Sequence, residues 1–230
     1  MHHSPRVVFS QYMVECIKKK LKIDYKIHIG IDFDNTIVDY QNIFYQNAID
    51  LGYLKQSTLQ SKNSIKQKVL DLNNGEKKWG ILQSRVYGIG IKKARIMKDF
   101  KGFLQKCRIN NLTVSIISHK SMHNIYDNKK LNLQEAAFNW MSRNNFFSTE
   151  LSFTKKDIYF CKTLDDKINQ IKKIGVNFFI DDLEKVLLHP HFPEKTNRIL
   201  FKEKDLNDNI KMINHSGNWT SIKDYIFKID

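Results

Sequence analysis

Short apolar segments, several of which end at a polar residue, alternate with amphipathic segments along this chain of 230 residues, and this alternation constrains the fold more than any other feature. The apolar segments predict strands at 27–31, 112–117, 158–161, 176–180 and 198–201. Strands that alternate with helices form a parallel sheet with right-handed crossovers and helices on both faces. We therefore predict an α/β fold with a Rossmann-like core, whose active groups lie at the carboxyl ends of the strands.

The region between the first two predicted strands has a different pattern. Residues 42–106 contain no long β segment, and they predict several helices, 65–72 and 91–104 among them, with glycines as breaks. We interpret this region as a helical insert. The α/β core then comprises residues 1–41 and 107–230.

Three more helices are predicted within the core. Apolar residues recur at helical spacing over 7–21 and 131–147. A third helix begins at Asp165 or Asp166, either of which can cap its first turn, and ends at Gly175. These helices alternate with the strands, as a doubly wound sheet requires.

Composition limits the class of protein. The 38 Lys and Arg residues exceed the 24 Asp and Glu residues, and the formal net charge of +14 fits nucleic acid, an anionic membrane or a phosphorylated substrate. The lysines are spread along the chain, which favours solvated side chains, and we expect no nucleic-acid partner. The three cysteines are far apart and form no Cys-x-x-Cys pair, so a reducing cytoplasm fits best. No apolar run approaches the roughly 18 residues that span a bilayer, and we expect no membrane contact.

Two carboxylates, two residues apart, follow the first predicted strand. In Ile29-Gly30-Ile31-Asp32-Phe33-Asp34, alternation along a strand places the Asp32 and Asp34 side chains on one side. Close carboxylates repel each other, so the arrangement costs free energy unless a cation lies between them or one of them carries a proton. The pair alone is also compatible with a turn and a helix cap.

Together with polar residues at other strand and helix ends, this pair resembles the motifs of the haloacid dehalogenase (HAD) superfamily of phosphohydrolases. The four motifs occur in the family's order, as Asp32-Phe33-Asp34-Asn35-Thr36, Ser118, Lys167 and Asp181-Asp182. They extend over the core of the chain, and the helical insert lies where the family carries its cap. The resemblance therefore implies a HAD core at 1–41 and 107–230 with a helical cap at 42–106.

The resemblance also implies a two-step phosphoryl transfer that uses Mg²⁺. Asp32 is the expected nucleophile, which forms an aspartyl phosphate. Asp34 is the expected general acid and base, and its presence favours phosphate over carbon–halogen chemistry. Asp32, the backbone carbonyl of Asp34 and Asp181 are the expected Mg²⁺ ligands, and Lys167 is expected to balance the charge of nucleophile and phosphate.

Four residues are expected to bind or orient the substrate. The resemblance assigns Ser118 a hydrogen bond to a phosphate oxygen, and it assigns Thr36 the orientation of Asp34 through its hydroxyl. His119 and Lys120 follow Ser118 directly, and we predict that they contact the substrate. A cap can act as a lid that supplies specificity and excludes water, and Trp79 and its neighbours Gln83, Arg85 and Tyr87 are candidates for that task.

Several alternatives stay open at this stage. The lysine of the third motif has other candidates, which are Lys162, Lys155 and Lys156. Asp182 is a candidate for a second, water-mediated metal contact. His119 and His123 have a spacing that binds zinc on a helix, although the glutamate of a metalloprotease motif is absent. The loop 189–193, which contains two histidines and two prolines, is a further candidate for a substrate contact.

The sequence as a whole predicts a Mg²⁺-dependent phosphatase that acts on a phosphorylated small molecule. The tract from Ser118 to Asp182 also resembles phosphatase-like proteins of bacterial surface-polysaccharide biosynthesis, which implies a sugar phosphate or a glycan-precursor phosphate as substrate. One alternative is a phosphotransferase or phosphomutase on the same fold. Another is a non-catalytic, basic protein that binds polyanions. The oligomeric state stays open.

Overall fold

A six-stranded parallel sheet forms the centre of the protein. The computed structural model describes residues 26–57, 61–126, 130–202 and 211–228. The strands are β1 (His28–Ile31), β2 (Val38–Asp39), β3 (Arg95–Ile96), β4 (Thr113–His119), β5 (Ile158–Cys161), β6 (Phe178–Asp181), β7 (Asn197–Phe201) and β8 (His215–Gly217). The sheet has the order β5-β4-β1-β6-β7-β8, and β2 and β3 form a separate antiparallel pair. The predicted α/β fold class is confirmed.

Helices connect and cover the strands. They are α1 (Gln41–Asp50), α2 (Lys62–Leu70), α3 (Gly75–Tyr87), α4 (Phe100–Ile109), α5 (Leu133–Arg143), α6 (Leu164–Ile174), α7 (Glu184–Leu187) and α8 (Trp219–Phe227). Two short 3-10 turns lie at Gly90–Lys93 and Lys155–Asp157. Within the described ranges, no helix combines the length and the apolar character needed to cross a membrane. The helix predicted at 7–21 lies outside the described residues.

The start of α6 differs by a few residues from the prediction. The cap is Thr163, whose hydroxyl accepts a hydrogen bond from the Asp166 backbone N–H, while the Asp166 carboxylate accepts one from the Thr163 N–H. This reciprocal pair satisfies two N–H groups at the helix start, so the helix begins at Leu164. Gly175 ends the helix with a φ of 69°, as predicted. The position of this first turn decides where Lys167 points.

The helix predicted over 91–104 is wrong in its first part, since only the residues from Phe100 onward are helical, as the start of α4. Residues Gly90–Lys93 form a 3-10 turn, and the next residues form β3, which pairs with β2 through Val38 and Ile96. The Met97 N–H donates to the carbonyl of Ile37 at 2.8 Å, so pairing with a distant segment replaces the helical hydrogen bonds. The β2–β3 pair joins the helical region to the sheet.

The packing of α4 bears on where the helical region ends. Helix α4 packs against the sheet side of the molecule, because the rings of Phe100 and Phe103 each lie 4.8 Å from the ring of Trp219 in α8. Helices α1 to α3 pack against one another instead. The cap at 42–106 stays a proposal, and this packing favours an end near β3 over one at residue 106.

Candidate active site

Three of the predicted site residues lie at one edge of the sheet. Strands β4, β1 and β6 are neighbours, so their carboxyl ends lie side by side. Asp32 directly follows β1, Ser118 lies near the end of β4, and Asp181 ends β6. The Asp32 N–H donates to the carbonyl of Ile180 at 2.9 Å, which extends the β1–β6 pairing and aligns the two acids. All three side chains are buried.

Lys167 connects two of these acids. Its ammonium group donates to Asp32 Oδ1 at 2.5 Å and to Asp181 Oδ2 at 2.6 Å. Burial by itself lowers the pKa of Lys167, but the carboxylates of Asp181 and Asp32 outweigh it and raise the pKa above its ordinary value. The side chain is therefore a fixed positive charge. By contrast, Lys162 is exposed, so the geometry favours Lys167 as the lysine of the third motif.

A cluster of three carboxylates lies beside this lysine. Asp32, Asp181 and Asp182 each offer an oxygen, and these atoms lie within 4.8 Å of one another. Burial raises the pKa of Asp181 and of Asp182, and the neighbouring acid raises each further. Oxygen donors at this spacing suit a hard divalent cation, whose charge would relieve their repulsion. The residues present therefore fit the implied Mg²⁺, and the Asp182 carboxylate is part of the donor set.

The Asp34 side chain lies outside this cluster. The Tyr40 hydroxyl donates to its Oδ1 at 2.7 Å, and the Lys120 ammonium donates to its Oδ2 at 2.6 Å. Thr36, which is predicted to orient Asp34, does not do so: its buried hydroxyl has no hydrogen-bond partner among the described residues. Its carbonyl accepts a hydrogen bond from the Trp219 indole at 2.9 Å, which fixes the loop from the other side. Tyr40 and Lys120 hold Asp34 instead.

Lys120 is predicted to contact the substrate, but in the structure it is buried and binds Asp34. The side chain is 3% exposed, and its ammonium lies 5.6 Å from the ring centre of Phe33 and 5.0 Å from that of Tyr87. Aromatic faces attract cations, so these rings stabilise the Lys120 ammonium group beside Asp34. Sequence reasoning did not identify Tyr40 as a partner of Asp34. The only sequence feature that could have identified it is its position, four residues after Thr36 of the Asp-x-Asp-x-Thr motif.

The two histidines after the second motif, His119 and His123, contact backbone carbonyls and not the residues of the site. Ser118 is buried, whereas His119, the last residue of β4, is exposed, and its ring Nε2 lies 2.9 Å from the Lys162 carbonyl. The ring of His123 lies 3.1 Å from the Leu131 carbonyl. Neither belongs to a group of three metal-ligating side chains in the described part of the chain. The structure thus gives no support to His119 as a substrate ligand or to a zinc pair.

The other candidates divide between the site and the periphery. Tyr87 reaches the site, because its ring contacts both Tyr40 and the Lys120 ammonium. Trp79 stacks on Phe44 inside the helical region. Three more candidates lie elsewhere: Arg85 faces Asp50, Gln83 is in the middle of α3, and His189 faces Asp165.

The sheet order and the helices on its faces form an α/β fold that solved structures of HAD-superfamily hydrolases share. A HAD-like hydrolase from Streptococcus pneumoniae is similar over 89% of this chain and 100% of its own, with a TM-score of 0.56 at 14% identity. A HAD-superfamily hydrolase from Ehrlichia chaffeensis is similar over 88% and 98%, with a TM-score of 0.50 at 16% identity.

A predicted phosphoglycolate phosphatase from Haemophilus somnus shares the fold over 87% of this chain and 96% of its own, with a TM-score of 0.51 at 13% identity. No family model and no curated protein matches the chain. These likenesses confirm that the chain shares the α/β fold of these hydrolases. They give no support to the finer resemblance to proteins of polysaccharide biosynthesis.

Proposed function

We propose that this protein is a phosphatase that hydrolyses a phosphate monoester of a small metabolite through an aspartyl-phosphate intermediate. The observation that carries the proposal is the position of Lys167, whose ammonium joins Asp32 to Asp181 at 2.5 and 2.6 Å beside a cluster of three carboxylates. A buried lysine of this kind neutralises a nucleophile and an incoming dianion at the same place. A sugar phosphate remains among the substrates that this proposal allows.

Asp32 is the proposed nucleophile. One of its oxygens attacks phosphorus, a new O–P bond forms, and the ester P–O bond breaks as the alcohol leaves. Lys167 holds the other oxygen and so fixes the direction of attack. Water then attacks the phosphorus of the aspartyl phosphate, which releases inorganic phosphate and restores the Asp32 carboxylate.

Asp34 is the proposed proton carrier for both halves of the reaction. It gives a proton to the leaving oxygen and then takes one from the attacking water. Tyr40 and Lys120 act as positioning residues, because they hold both carboxylate oxygens at 2.7 and 2.6 Å. Ser118, buried near the carboxyl end of β4, is the proposed donor to a phosphate oxygen.

Asp32, Asp181 and Asp182 would hold Mg²⁺, together with the Asp34 carbonyl that the resemblance implies. When bound, the cation supplies charge neutralisation for the phosphate oxygens. The protein's own part is to keep these donors buried and close, so that water does not screen their charges.

The test is a panel of phosphorylated metabolites, assayed for phosphate release with Mg²⁺ and with EDTA. We expect release in Mg²⁺ only, and we expect Asp32→Asn to abolish it. Asp224→Asn, which removes an exposed carboxylate on α8, is the matched control and should retain activity. A hydroxylamine-sensitive phosphoprotein should appear after acid quenching of the wild type.

Two results would contradict the proposal. Equal phosphate release by the wild type and Asp32→Asn would exclude the aspartyl-phosphate route. Consumption of the substrate without free phosphate, with transfer to an added alcohol instead, would identify a phosphotransferase on the same fold.

A further inference from the structure

A cavity opens beside the acid cluster, between the helical region and the sheet. Its volume is about 270 Å³, and Asp182 of the acid cluster forms part of its wall. Asn35 of the Asp-x-Asp loop lines it from the core, and Lys62 lines it from α2. A phosphate held at the acid cluster would therefore have the rest of its molecule in this cavity.

Lys62 is a partly buried cation that faces this space. No carboxylate oxygen lies within 4.0 Å of its ammonium group among the described residues. Its Nζ lies 5.5 Å from the ring centre of Phe44. Burial acts to lower the pKa of Lys62, but Tyr87, Asp182 and Asp34 together raise it. The side chain is thus charged and lacks the direct ion pair that Lys120 and Lys167 have.

Helix stability does not explain a lysine at this position. Lys62 is the first residue of α2, directly after the cap Ser61, and a cation there opposes the positive end of the helix dipole. The free N–H groups of the same helix end add to the positive potential. The cavity also contains Asp39 and Asp182, so an anionic group is favoured only at its Lys62 end.

We propose that Lys62 is a specificity residue, which binds a second anionic group of the substrate while the acid cluster holds the phosphate. The inference rests on the proposed phosphatase function and narrows it to phosphate monoesters that carry a carboxylate or a second phosphate. The Phe44 ring lies beside the lysine, and Tyr87, which packs against Phe44, forms a side-chain hydrogen bond with Lys62. Neutral sugar phosphates are then the poorer substrates.

The experiment compares matched substrates that differ in one carboxylate. The first pair is 2-phosphoglycolate and 2-hydroxyethyl phosphate, and the longer pair is 6-phosphogluconate and glucitol 6-phosphate. In the wild type we expect kcat/KM to favour the carboxylate in at least one pair by tenfold or more. Lys62→Met should lower that ratio by about tenfold or more, and Lys62→Arg should retain most of it.

Lys68→Met is the matched control, because Lys68 is an exposed lysine of the same helix, and it should leave the ratio unchanged. Thermal unfolding checks that each variant is folded. The inference is overturned if the wild type shows no preference in either pair, or if Lys62→Met slows both members of a pair by the same factor.

A binding measurement separates this inference from the proposed function. Calorimetry on Asp32→Asn with Mg²⁺ gives the Kd of 6-phosphogluconate and of glucitol 6-phosphate, with and without Lys62→Met. A wild type that hydrolyses none of the panel, combined with tighter carboxylate binding that depends on Lys62, would refute the phosphatase and keep the anion site. Turnover of neutral and carboxylate substrates at equal rates would support the phosphatase and refute the anion site at Lys62.

Discussion

Removal of the Lys167 charge should destabilise the protein strongly, and Mg²⁺ should restore part of the loss. The Lys167 Nζ lies 5.4 Å from the ring centre of Phe179. Lys167→Met keeps most of the length of the side chain but removes both short hydrogen bonds of this atom. Asp32 and Asp181 then remain buried without their cation. Breaking a buried ion pair in this way costs about 3–5 kcal/mol, which is a large part of a typical stability of about 5–15 kcal/mol.

The assay is urea unfolding at pH 7 in EDTA and again in Mg²⁺. In EDTA we expect the free energy of unfolding to fall by about 3–5 kcal/mol, equivalent to a Tm lower by roughly 6–20 °C. Mg²⁺ should stabilise Lys167→Met more than the wild type, because the ammonium no longer repels it from Asp32 and Asp181.

The control for this experiment is Lys162→Met. It removes an exposed lysine five positions earlier and should change stability by no more than about 0.5 kcal/mol. The reasoning is refuted if Lys167→Met in EDTA loses less than about 1 kcal/mol, or if Mg²⁺ stabilises the variant and the wild type equally.

Three further substitutions or treatments test separate contacts. Tyr40→Phe removes one hydrogen-bond donor to Asp34, and a hydrogen bond to a charged acceptor contributes about 1.5–3 kcal/mol. In steady-state kinetics kcat should therefore fall about tenfold or more with KM little changed. A change in KM alone would contradict this expectation. Gly30→Ala places a Cβ 2.7 Å from Phe179 Cδ2, and the urea midpoint should fall by an amount equivalent to about 1–3 kcal/mol. Burial raises the pKa of Cys107 to about 12, so this thiol should resist alkylation at pH 8 until urea unfolds the chain, and fast labelling of the native protein would count against it.

The sequence predicts the centre of the sheet well because local and tertiary preferences agree there. The segments around Ile29 and Phe179 are apolar throughout, as strands covered on both faces must be. The 91–104 segment shows the opposite case: its apolar spacing fits one helix, but pairing of Ile96 with Val38 forms a short strand there, and the helix begins only at Phe100. Strand β8 has only three residues, His215–Gly217, and carries no apolar pattern that a periodicity could detect.

The candidate site could be predicted only where a residue belongs to an ordered motif. Asp32 and Asp181 end apolar strands, and this position is visible in the sequence. The partners of Asp34 are not visible, because Lys120 comes from 86 positions away and any of many lysines could have supplied the charge. Lys62 could not be identified for the same reason, because the cavity that it lines is formed by residues distant in the sequence.

The structure also resolves the problem posed by two acids two residues apart. Strand β1 ends at Ile31, so strand alternation no longer dictates the direction of Asp32 and Asp34. Two lysines divide the acids: Lys167 binds Asp32 with Asp181, and Lys120 binds Asp34. Asp32 and Asp34 are therefore paired with different cations. The proposed mechanism needs such a difference, since a nucleophile must stay ionised whereas a proton carrier must change its state.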